Sequence, residues 1–142
     1  MKIMLIEDDP VHVRLICRAF GQHDNHEMVI VRDGDEAIER LTHINHNDDE
    51  QPNLVLMDLC LPTIDGCEVL RQLRSTESTK NLPVIMISTS DRPEDVNRCY
   101  ACGANAYVTK PADFNGLSEK MQSVRAFWLD AARLPFGASW ST

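Results

Sequence analysis

Residues 54–62 read Leu54-Val55-Leu56-Met57-Asp58-Leu59-Cys60-Leu61-Pro62, one carboxylate inside an otherwise apolar run. A stretch that is hydrophobic at successive positions, rather than at alternate ones, is the pattern of a parallel strand buried on both faces. A charge in that setting is costly unless it is paired or holds a cation. The run predicts a strand over 54–57, and Asp58 is the residue whose presence needs a reason.

Working outward, four more short apolar runs have the same character: 3–6, 28–31, 84–87 and Ala106–Thr109. Helical segments with recognisable starts separate them. Asp9-Pro10 predicts an N-cap followed by proline at the first helical position. Asp33 with Glu36, Asp65 with Glu68 and Asp91 with Glu94 each place an acid where an N-cap belongs and a glutamate three residues on. Apolar helix faces follow: Val13, Ile16, Cys17 and Phe20; Val69, Leu70 and Leu73; Leu117, Met121, Val124 and Trp128. The stretch 43–53 is polar and acidic and predicts a surface loop. Five strands alternating with five helices predict one doubly wound α/β domain with a parallel sheet.

Composition narrows the function. The chain has 142 residues, 43% of them hydrophobic, with a formal charge of −8. An acidic chain without a basic cluster does not suit nucleic acid, which needs Lys and Arg against its phosphates. No run approaches the length of a membrane span, and Met1-Lys2 leads straight into the first strand with no signal peptide; both point to a cytoplasmic protein. The five cysteines (17, 60, 67, 99 and 102) read as reduced thiols. Cys99 and Cys102 have the spacing of a redox or zinc pair, but they fall within a predicted helix, and packing is the better reading. His43 and His46 read as solvated loop residues.

In open parallel sheets the ligand site lies beyond the carboxyl ends of the strands. Glu7, Asp8 and Asp9 follow the first strand, Asp58 the third, Ser88 ends the fourth, and Lys110-Pro111 follows the fifth. Asp9 is explained as a helix cap. The remaining acids, the hydroxyl and the lysine converge on one edge. Carboxylates of this kind suit Mg²⁺, which takes oxygen ligands and keeps several waters. A lysine and a hydroxyl beside it suit phosphoryl oxygens, and an aspartate can itself be a nucleophile that forms an acyl phosphate. The constellation reads as a phosphoryl-transfer site with Asp58 as acceptor.

These residues resemble a bacterial response-regulator receiver domain over residues 2 to about 128. The resemblance is carried by Ile6-Glu7-Asp8-Asp9, by Leu56-Met57-Asp58-Leu59 with Leu61-Pro62-Thr63-Ile64-Asp65-Gly66, by Pro83 to Ser88, and by Gly103-Ala104 with Tyr107-Val108-Thr109-Lys110-Pro111. It implies a flavodoxin-like (βα)₅ sheet and a signalling protein rather than an enzyme. Asp58 would accept a phosphoryl group from a sensor histidine kinase. Asp8, Asp58 and the backbone carbonyl of Cys60 would ligate Mg²⁺, with Glu7 acting through water. Lys110 and Ser88 would bind the phosphoryl group, Ser88 and Tyr107 would form the switch, and the peptide before Pro111 would be cis. Ser88 stands where threonine is commoner, Cys60 lies at a position facing the site, and Ala112 stands where phenylalanine is frequent. None of these removes a required group.

Four of the eight aromatic residues, Phe127, Trp128, Phe136 and Trp140, fall in the last 16 residues. This ending, and the polar loop before the third strand, resemble small stand-alone regulators paired with phytochrome-type kinases. The expected division is a receiver over 1–132 and a tail over 133–142 that contributes to a homodimer contact, with output through other proteins. Two rival readings are weaker. A haloacid-dehalogenase-type phosphatase needs a second aspartate where Cys60 stands and an acidic pair late in the chain. A phosphorylation-independent pseudo-receiver would not need Glu7, Asp8, Asp58, Ser88 and Lys110 all intact.

Overall fold

The computed structural model describes residues 1–21, 26–43 and 51–135. Strands β1 (Lys2–Ile6), β2 (Glu27–Val31), β3 (Leu54–Asp58), β4 (Val84–Ser88) and β5 (Ala106–Thr109) alternate with helices α1 (Pro10–Phe20), α2 (Gly34–Thr42), α3 (Gly66–Arg74), α4 (Pro93–Ala101) and α5 (Phe114–Arg125). A π-helical turn, Ala126–Ala131, continues α5. All strand pairs are parallel and the spatial order is β2-β1-β3-β4-β5, a doubly wound sheet. Each strand falls where its apolar run predicts, within a residue. Of the 43–53 stretch, residues 44–50 lie outside the described residues, as do His46, Phe136 and Trp140.

The period of two along each strand sorts side chains to two cores. Met4, Ile6, Val55, Met57, Val84 and Met86 face Ala37 and Leu41 of α2, Val69, Leu70 and Leu73 of α3, and Cys99 of α4. Ile3, Leu5, Leu54, Leu56, Ile85 and Ile87 face Ile16 and Phe20 of α1 and Leu117, Met121 and Val124 of α5. Continuous hydrophobicity in the strands therefore has a direct cause, since both faces are covered.

Three expected caps form. Asp9 accepts from Val11 N–H at 2.9 Å, Asp33 from Glu36 at 2.7 Å and Asp65 from Glu68 at 3.0 Å. The Asp91 cap does not. Pro93 sits in the first turn of α4, so the residue before it, Arg92, is extended (ψ 130°) and occupies the cap position. Asp91 lies one residue too early, and Ser90 is the side chain that accepts from the Arg92 N–H. Arg74 locks the opposite end of the domain. Its guanidinium donates to the carbonyls of Gly103, Thr79, Lys80 and Leu82 and to Asn105 Oδ1, tying α3 to the turns that lead into β4 and β5.

Candidate functional site

Strand register brings together residues that are far apart in sequence. Ile6 pairs with Met57, Asp58 with Ile87, and Ser88 with Thr109. Glu7, Asp58, Ser88 and Lys110 therefore share one carboxyl edge, at the point where the strand order reverses between β1 and β3. Glu7, Asp58, Ser88 and Lys110 are buried there, while Asp8 is exposed at the rim.

Lys110 Nζ donates to Glu7 Oε2 at 3.1 Å and stands 3.5 Å from Asp58 Oδ2. Side-chain oxygens of Glu7, Asp8 and Asp58 all lie within 4.8 Å of one another. A single ammonium faces two buried carboxyl groups. Burial, and then the neighbouring Asp58, push the Glu7 carboxyl up to about 8, against the opposing pull of Lys110. Without a cation, Glu7 thus holds a proton at neutral pH. An all-oxygen cluster with one member open to solvent and a shortage of positive charge fits a hard divalent ion such as Mg²⁺.

Local structure fixes Asp58. The Cys60 N–H donates to Asp58 Oδ1 at 3.4 Å. The Gly66 N–H donates to the Leu59 carbonyl at 2.7 Å, folding the start of α3 back onto the end of β3. A Cβ at position 66 would collide with the Asp58 carbonyl oxygen and crowd Leu59 Cα, so this close return requires glycine. Between them Thr63 has φ 66°, an uncommon value for a β-branched residue. Ile64 N–H donates across it to the Pro62 carbonyl, and the Thr63 hydroxyl donates to Asp35 Oδ2 at 2.9 Å. The loop after Asp58 is thereby tied to α2.

On the other side, Ser88 Oγ accepts from the Ser90 N–H at 3.1 Å, and the Tyr107 hydroxyl donates to the Ser90 carbonyl at 2.7 Å. Tyr107 is half-buried, and burial raises its hydroxyl pKa. The ring tip of Tyr107 thus meets the loop that follows Ser88. The expected cis peptide before Pro111 is not found; among the described residues every peptide is trans. Lys110 is aimed in another way, because its N–H donates to the Ser88 carbonyl at 2.6 Å and extends the β4–β5 ladder one residue past Thr109.

One residue of the site was not singled out from sequence. His12 Nδ1 lies 3.1 Å from Glu7 Oε1 and 3.1 Å from Lys110 Nζ. The signal was its place in the first turn of α1, just after the Asp9 cap, because that turn opens onto the strand edge. Asp9 itself acts as the cap, as expected.

Comparison with known proteins agrees with this geometry. The family model described as "Response regulator receiver domain" matches residues 3–122. The chain is 34% identical to "Response regulator Rcp1" of Synechocystis sp. over 94% of its own length and 92% of that protein. It is also 34% identical to "Probable methanogenesis regulatory protein FilR2" of Methanothrix harundinacea, over 94% of this chain and 86% of that one. A crystal structure of the phosphorylated cyanobacterial phytochrome response regulator RcpA is 38% identical with a TM-score of 0.87, covering 94% of this chain and 97% of RcpA. The Mn²⁺-bound form of Rcp1 gives a TM-score of 0.86 at 34% identity, covering 94% of this chain and 98% of that one.

Proposed function

This chain belongs to the response regulator receiver domain family, a family of signalling proteins, and on that premise we propose that it is a phosphorylation-driven switch with Asp58 as its phosphoacceptor. The observation that carries this reading is the Asp58 carboxylate held 3.5 Å from Lys110 Nζ, beside Glu7, at a buried strand edge. An Asp58 oxygen attacks the phosphorus of a phosphohistidine on a sensor kinase. The P–O bond forms as the P–N bond breaks, and its electron pair leaves with the imidazole. Lys110 then follows the negative charge from the carboxylate to a phosphoryl oxygen, and Ser88 Oγ donates to another. Asp8, Asp58 and the Cys60 carbonyl are the groups that would hold Mg²⁺, with Glu7 reaching it through water. Bound there, the cation supplies positive charge against the phosphoryl oxygens.

The switch is the Ser88–Ser90 loop and Tyr107. When Ser88 turns toward the phosphoryl group, its bond to the Ser90 N–H is lost. That loop also carries the carbonyl that holds the Tyr107 hydroxyl, so charge at Asp58 is coupled to the α4–β5–α5 face. Output is through protein contacts at that face, in the cytoplasm, with no nucleic acid as ligand. The protein is not an enzyme acting on an outside substrate. Likeness to RcpA and Rcp1 supports a phytochrome-type kinase as the phosphoryl donor. Among the described residues, no helix is long and apolar enough to cross a membrane.

The receiver takes in residues 1–132 and the tail 133–142 adds to a homodimer contact. Exposed Phe114, at the start of α5, and Phe127, in the π-helical turn after it, support this, while Trp128, Leu129 and Leu134 pack on the domain's own core. Incubation with acetyl phosphate or a phosphorylated kinase in Mg²⁺ labels the wild type and not Asp58→Asn. Label that survives this substitution, or a wild type that takes none from any donor, overturns the assignment. Light scattering checks the dimer: truncation after Leu134 lowers the mass, and monomeric mass for both forms removes that part of the reading.

A further inference from the structure

Away from the phosphoacceptor, helices α3 and α4 bring two thiols into contact. Cys67 is the second residue of α3 and Cys99 lies in the last turn of α4, yet their Sγ atoms are 3.2 Å apart. Both side chains are buried, and both are free thiols. Cys102, three residues on, faces the Arg71 guanidinium instead.

The helix that carries Cys99 is loosely held. Among its residues Cys99 is the one buried side chain, and its N-cap has no side-chain hydrogen bond. Its other side-chain ties include an Arg98–Asp65 ion pair, 46% and 44% exposed, the Tyr100 hydroxyl accepting from the Tyr107 N–H at 3.2 Å, and Asp95 accepting from the Ser90 hydroxyl. An ion pair that open to solvent holds little. Few buried contacts and exposed polar ties are the marks of an element that opens locally before the rest of the domain.

We propose that Cys67 and Cys99 form a reversible intramolecular disulfide when a hydroperoxide reaches them through local opening of α4, and that the bond staples α4 to α3. The hydroperoxide takes one thiol to a sulfenic acid, its O–O bond breaking to leave an alcohol, or water if hydrogen peroxide is used. The second thiol's sulfur attacks the sulfenyl sulfur, the S–S bond forms, and one water departs. Two thiols and one hydroperoxide become one disulfide, one alcohol and one water. The sulfurs must close from 3.2 Å to the covalent distance of about 2.05 Å. Burial raises both thiol pKa values, so the closed state holds little thiolate and oxidation waits on the opening. The stapled helix begins just after the Ser88–Ser90 loop, and Ser90 Oγ donates to Asp95 of α4. Oxidation therefore restrains the element next to the switch.

The test needs no phosphoryl donor, so its outcome is separate from that of the phosphoacceptor reading. The full chain is reduced, freed of reductant, treated with hydrogen peroxide and mapped without reduction, and backbone amide exchange is followed in parallel. A Cys67–Cys99 linked peptide is expected, lost on adding dithiothreitol and absent from Cys67→Ala and Cys99→Ala. It persists in a variant combining Cys17→Ala, Cys60→Ala and Cys102→Ala, which keeps the folded core thiols in place. Amides of 96–101 exchange roughly tenfold more slowly in the oxidised chain. Oxidation confined to Cys17, Cys60 or Cys102, links between chains in place of the internal one, or a mapped disulfide that leaves α4 exchange unchanged would each overturn the proposal.

Discussion

Lys110 Nζ and Glu7 Oε2 meet at 3.1 Å across 103 residues of sequence, joining the end of β5 to the end of β1 beside Asp58. The contact is dry, with both side chains no more than 2% exposed. The same ammonium is also the near neighbour of Asp58 and of His12 Nδ1. Positive charge is the scarce quantity at this edge.

With Glu7 protonated at neutral pH, the buried pair that counts is Lys110 with Asp58 at 3.5 Å, and removing the ammonium leaves Asp58 with no cation. Breaking a buried pair in this way costs about 3 kcal/mol, far more than a surface pair contributes. Lys110→Ala is expected to lower unfolding free energy in urea by that order at neutral pH. Lys110→Met keeps most of the packing and recovers little. A loss under about 1 kcal/mol would mean the pair behaves as if solvated.

The raised pKa of Glu7 gives stability a pH slope of known sign. The folded protein keeps the Glu7 proton up to about 8, whereas the ordinary carboxyl loses it near 4.5. Through that window the folded state binds more protons than the unfolded one, so cation-free stability falls as pH rises. Glu7→Gln flattens the slope. Mg²⁺ replaces the proton, so its uptake releases acid, and it raises Tm more at about pH 8 than at about pH 6. Thermal melts with and without Mg²⁺ check both signs, and equal Mg²⁺ gains at the two pH values would contradict them.

Most of this site was legible because it is topological. Once five buried strands are read as parallel, the residues after each strand must share an edge, which brings Glu7, Asp58, Ser88 and Lys110 together without any contact being known. What escaped depends on details finer than strand order. His12 reaches the edge from the first turn of α1, and the direction of that turn is set by packing rather than by pattern. The Asp91 cap failed because Pro93 dictated the start of α4 one residue later. Cys67 and Cys99 are both buried, but their contact joins separate helices and no local pattern announces it.

Arg74 carries a structural load that its surface-like sequence context conceals. One guanidinium serves four carbonyls and Asn105 Oδ1, and Asn105 Oδ1 also accepts from the Val84 N–H. Arg74→Ala is expected to cost about 2–4 kcal/mol, because carbonyls at the entry to β4 lose their donor together. Arg74→Lys recovers only part, since an ammonium cannot reproduce the planar fork. Denaturant titration gives the magnitude. Faster amide exchange confined to 75–84 and 103–105 locates it, whereas unchanged exchange there would assign the loss elsewhere.

Gly66 tests whether Asp58, the proposed acceptor, is positioned by backbone contact. A methyl group at this position must push against the Asp58 carbonyl oxygen, Leu59 Cα and Met86 Cε. The first two are backbone and cannot swing aside, so Gly66→Ala moves either the end of β3 or the start of α3. Forced overpacking of this kind costs about 1–3 kcal/mol. The displacement also acts on the Asp58 side chain, which shares its residue with the obstructed carbonyl. We expect acetyl phosphate labelling to slow by roughly tenfold or more, since a shift of about 1 Å at a reacting group is enough for such losses. Asp65→Asn serves as the control, for it keeps a good N-cap at the neighbouring position. If Gly66→Ala labels at the wild-type rate while its stability falls, the glycine serves packing alone and Asp58 is held by its own strand.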